Sequence, residues 1–117
     1  MGSAESNQNA QNQDQKLIHL IKNQNASLTL RKDAVKKLIA ESPDSAWPVL
    51  VDLLQNQKES RILRGFASEM LPTIDSHNAI DALEKISTDK NENMDLRKIA
   101  LNSLWKVNQE RTFRAAG

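Results

Sequence analysis

Leu30-Arg-Lys-Asp-Ala34-Val-Lys-Lys-Leu38 decides how this chain is read, because two further copies follow it. Leu63-Arg-Gly-Phe-Ala67-Ser-Glu-Met-Leu71 and Leu96-Arg-Lys-Ile-Ala100-Leu-Asn-Ser-Leu104 lie at successive offsets of 33 residues. In each copy Leu, Ala and Leu stand four residues apart, which stacks them on one face of an α-helix. A second register occupies the other half of the unit: Leu17, Leu50 and Leu83, then Leu20, Leu53 and Ile86. Two helical registers in a fixed period of this size predict a solenoid, in which no unit buries its apolar face alone.

Working outward, the apolar spacing is helical throughout and predicts six helices, at about 13–23, 28–41, 45–57, 59–72, 77–88 and 94–109. Ser42-Pro43-Asp44-Ser45 ends the second helix and offers Asp44 or Ser45 as N-cap of the third. Pro72 closes the fourth, Asp75-Ser76 caps the fifth, and Asp89 to Asn93 is a polar turn before the sixth. Links this short make consecutive helices antiparallel. The expected fold is all-α: a short right-handed α-solenoid of three antiparallel helix pairs. Residues 1–12 read as a disordered polar tail opening on a cloning remnant, Met1-Gly2-Ser3. Residues 13–110 form the repeat domain and 111–117 a C-terminal tail.

The three Leu-Arg-x-x-Ala-x-x-x-Leu segments resemble the second helices of HEAT repeats, most closely the short HEAT-like repeats first associated with phycobilisome lyases. The resemblance covers about residues 14 to 108. It implies that second helices line an inner face, and that each repeated arginine is tied to the turn before its helix. Asn23, Asn56 and Asp89 stand eight residues ahead of Arg31, Arg64 and Arg97 and are the expected acceptors. The arginines are therefore read as a structural ladder.

Composition narrows the chemistry. The 117 residues hold no cysteine, which removes disulfides and thiolate metal sites. A formal charge of +1 supplies no steering toward polyanions, and two Trp and two Phe with no Tyr give few stacking platforms. No stretch reaches the roughly 18 to 20 apolar residues of a membrane span. His19 and His77 are expected to face solvent, on different units and without a helical metal-ligand partner. The His-Glu dipeptides of the HEAT-like deoxyhypusine hydroxylase are missing, so no catalytic residue, metal or cofactor is expected. Second helices are net basic and first helices net acidic, but much of the excess is the ladder arginines.

The arc opposite the core stripe carries the candidate site. It holds Thr29, Lys32, Asp33 and Lys36 in the first unit, and Asp95, Lys98, Ile99 and Asn102 in the third. The middle unit breaks this polar pattern with Ile62 and Phe66 beside Gly65. Ile62, Phe66 and Ile99, rimmed by Lys32, Lys36, Glu69, Lys98 and Asn102, form the expected partner-binding set. The competing reading packs Phe66 and Ile99 between units. Trp105, with Val107 and Phe113, reads as a cover for the last unit; a docking surface for further repeats competes with it.

The expected function is a non-catalytic adaptor or scaffold that binds a protein or peptide on its inner face, as a monomer in the cytoplasm or alternatively the periplasm. Two alternatives stand beside it. One is a nucleic-acid-binding module using Lys32, Lys36, Lys98 and Lys106, although nucleic acid is not the expected partner. The other is an accessory domain of a larger enzyme or envelope protein.

Overall fold

The computed structural model describes the backbone of residues 2–74 and 77–116 and the side chains of 12–74 and 77–109. Among the described residues there are six α-helices and no strand. They are α1 (Gly2–Lys22), α2 (Leu28–Glu41), α3 (Pro43–Gln55), α4 (Arg61–Met70), α5 (His77–Thr88) and α6 (Met94–Ala116), with a 3-10 turn at Leu71–Thr73. The backbone of α1 and α6 runs into the segments read as tails. An existing helix gains one hydrogen bond per added residue, and Gln, Glu and Ala favour the helix by propensity.

Helix starts differ in detail from expectation. Ser27 Oγ accepts from the Leu30 N–H at 3.2 Å and caps α2. α3 begins earlier than Asp44 or Ser45, with Pro43 in the first turn, where its missing N–H is no loss. Ser42 precedes it, and its hydroxyl donates to Asp14 Oδ1 at 2.9 Å instead of capping. The Asp75-Ser76 cap lies outside the described residues.

The turns between α1 and α2, α3 and α4, and α5 and α6 are built alike. Asn23, Asn56 and Asp89 each accept, through Oδ1, from the backbone N–H two residues on, at 3.0, 3.0 and 2.9 Å. Their side chains are thus spent inside the turn and do not meet the arginines, which corrects the expected pairing. Arg31 Nε instead donates to the Ile21 carbonyl at 2.7 Å, and Arg64 Nε to the Leu54 carbonyl at 3.0 Å. Each guanidinium then forms a two-pronged pair with a glutamate of the next turn. Arg31 meets Glu59 at 2.8 and 2.5 Å, and Arg64 meets Glu92 at 3.0 and 2.5 Å. All four residues are buried. The fork geometry of arginine matches a carboxylate with two parallel bonds.

Both carboxyls titrate below their ordinary value. Burial pushes Glu59 up, but hydrogen bonds from Arg31 and the Ser60 N–H, with the Arg31 charge, outweigh it. For Glu92 the Arg64 hydrogen bond is the largest influence, opposed by burial and aided by the Asn93 N–H and the Arg64 charge.

α1 packs on α2, α3 on α4 and α5 on α6, while α2 also meets α3 and α4, and α4 meets α6. The core runs through these contacts and includes Ala34, Leu38, Leu50, Leu53, Ala67, Leu71, Leu83, Ile86 and Ala100. Leu30 is the exception to its stripe. It is 54% exposed, whereas its counterparts Leu63 and Leu96 are 0% and 1% exposed. Those two lie on α4 and α6, the helices that follow α2 and α4 in the packing order.

Candidate partner-binding groove

The groove forms because α4 comes close to α6. Its core face carries Leu63, Ala67 and, half-buried, Met70, which turns Ile62, Phe66 and Glu69 outward. Gly65 faces α6 at close range: a Cβ there would lie 3.2 Å from Ile99 Cδ1 and 4.0 Å from Leu96 Cδ2. The glycine therefore makes room for Ile99. Glycine costs a helix interior about 1 kcal/mol relative to alanine, and here that cost is offset by packing.

Between the two helices lies an open groove of about 340 Å³, whose lining includes Lys32, Ile62, Phe66, Glu69, Asp95 and Ile99. Ile62 is 57% exposed, while Phe66 and Ile99 are half-buried. Phe66 packs against the core with one part of its ring. Lys32 Nζ and Lys36 Nζ stand over that ring, at 5.5 and 5.9 Å from its centroid. Both fall within the roughly 6 Å over which a cation is drawn to an aromatic face. The rim is of mixed sign, carrying Lys32 and Arg61 as well as Glu69 and Asp95.

Six of the eight expected residues thus come together: Ile62, Phe66, Ile99, Lys32, Glu69 and, over the ring, Lys36. Lys98 and Asn102 do not line the groove. Lys98 is turned about 100° from Ile99 around α6 and is exposed. Asn102 lies further along the helix, beside Leu101, Leu104 and Trp105. The two competing readings of the apolar set divide between residues: Ile99 packs between α4 and α6, and Ile62 faces solvent.

Arg61, Asn93 and Leu96 line the groove without having been singled out. Arg61 was findable as the charged neighbour of Ile62. Glu59 and Glu92 were also missed, although they repeat at the 33-residue offset.

Trp105 is exposed, as is Leu101, so no described residue covers that end of α6. Val107 is half-buried, and the Phe113 side chain lies outside the described residues. His19 and His77 are both exposed. Among the described residues no cluster of three metal-ligating side chains occurs, and no helix is long and apolar enough to cross a membrane. No family model, curated protein or solved structure matches this chain.

Proposed function

We propose that this protein is a non-catalytic adaptor or scaffold, a short HEAT-like α-solenoid of three helix pairs that holds a segment of a protein partner in the groove between α4 and α6. One observation carries the reading: an exposed isoleucine, a half-buried phenylalanine and a second isoleucine share a groove whose rim bears both charges. An apolar floor takes one or two partner side chains, and a ring of polar groups around it excludes water. The mixed rim suits a peptide better than a polyanion. Lys32 and Lys36 lie over Phe66, and Glu69 and Asp95 would repel phosphates.

Ile62→Asp tests this reading. Ile62 is more than half exposed, and the first unit carries Thr29 at its register, so the fold should tolerate the charge with a change within about 0.5 kcal/mol. Retention of a partner isolated with the parent protein should fall by tenfold or more, as expected for a hot spot of about 2 kcal/mol. Undiminished retention, or a variant that melts far below the parent, would remove the groove from the function.

A further inference from the structure

The third arginine of the repeat lacks what the first two possess. Arg97 Nε is shut off from solvent and meets no acceptor. Among the described residues no carboxylate pairs with its guanidinium, whereas Arg31 and Arg64 each hold one. The surface beside it is open where earlier copies are closed. Val35 and Ser68 are 1% and 0% exposed, and Leu101, at the same register, is 60% exposed. Met94, Arg97, Leu101 and Trp105 follow one another at intervals of three, four and four residues, a single stripe along α6. Met94 and Trp105 are exposed as well. A depression of about 620 Å³ opens along Leu101, Leu104 and Trp105.

We propose that this stripe docks an antiparallel helix pair whose inter-helix turn offers a glutamate to Arg97, which is the chemistry of a further unit of this repeat. Glu59 does this for Arg31 and Glu92 does it for Arg64. The apolar stripe then receives the cover that Val35 and Ser68 already have. A second copy of this chain stacked head to tail is a poorer occupant. Ala26 stands where the later turns carry Glu59 and Glu92, so its leading unit brings no carboxylate to Arg97. The proposal rests on the repeated arginine–glutamate pairs and is independent of the groove.

The test uses the full chain with a second copy of residues 77–109 inserted between Gln109 and Glu110. The copy's glutamate then falls at the spacing from Arg97 that separates Arg31 from Glu59. Trp47→Phe in the parent, and Trp105→Phe in the copy alone, leave Trp105 as sole emitter. Its emission should move to shorter wavelength than in the uninserted chain, and Tm should rise. Glu92→Ala in the copy alone should cancel most of that rise, and should do little once Arg97→Ala is present. Unmoved Trp105 emission overturns the proposal, as does a rise in Tm indifferent to the copy's glutamate. So does a parent protein that sediments as a dimer and becomes monomeric on Leu101→Asp, since a second copy would then be the occupant.

Discussion

Leu30 and Leu63 are the same residue at the same register, yet one is 54% exposed and the other 0%. Arg64 and Arg97 differ in the same way, one clamped on Glu92 and the other, among the described residues, without a carboxylate. Among the described residues, α3 and α4 pack against α2 on one side and against α5 and α6 on the other, whereas α2 meets α1, α3 and α4 alone. Environment in this molecule is thus conferred by the adjacent pair and not by the local sequence. Substitutions at matched positions should expose that difference.

The largest effect is expected at the clamps. Arg64→Ala strands a buried glutamate and should cost about 3–5 kcal/mol in denaturant melts. Arg97→Ala removes no ion pair and should cost less than about 1 kcal/mol. Equal losses would show that the pairing is not what distinguishes the two sites. The leucines come next. Leu63→Ala should cost about 2–5 kcal/mol, through lost transfer energy and a cavity. Leu30→Ala, on an open face, should cost under about 1 kcal/mol, and a Leu30 as costly as Leu63 would mean that the first pair is covered in solution.

Acid should act through the same clamps. Glu59 and Glu92 titrate below their ordinary value when folded. Their contribution is therefore complete above the unfolded value of about 4.3 and is lost as pH falls through the folded values. Tm should be insensitive to these groups between pH 7 and about 5 and drop below that range. The Glu59→Gln/Glu92→Gln variant, less stable at neutral pH, should show a shallower acid slope; slopes that superimpose refute this assignment. The smallest effect is expected at Ser68, whose buried hydroxyl meets no hydrogen-bond partner among the described residues. Ser68→Ala should be neutral or stabilising by up to about 1 kcal/mol, since alanine leaves no polar group to satisfy. A loss of that size would reveal an acceptor for the hydroxyl.

The all-helical character and the six helices could be read from the sequence, because helical periodicity is local. The apolar centre of the groove was legible for the same reason: Ile62 and Phe66 break a polar arc that Thr29 and Asp33 keep. The arginine partners were not. Asn23, Asn56 and Asp89 sit at plausible reach in sequence, but each is drawn into its own turn by a nearby backbone N–H. The true partners lie one pair further on, where no helical spacing points. The role of Gly65 was hidden likewise, since only the approach of Ile99 from another helix explains it.

The arginine–glutamate clamps also have a consequence in time. Each links residues 28 apart, so Arg31 leaves the ribosome ahead of Glu59, and Arg64 ahead of Glu92. At about 5–20 residues per second that interval is roughly 1–6 s, far longer than the microseconds in which a helix forms. Each guanidinium therefore meets its carboxylate only after the next turn has emerged, and the clamp cannot help the earlier helix to form.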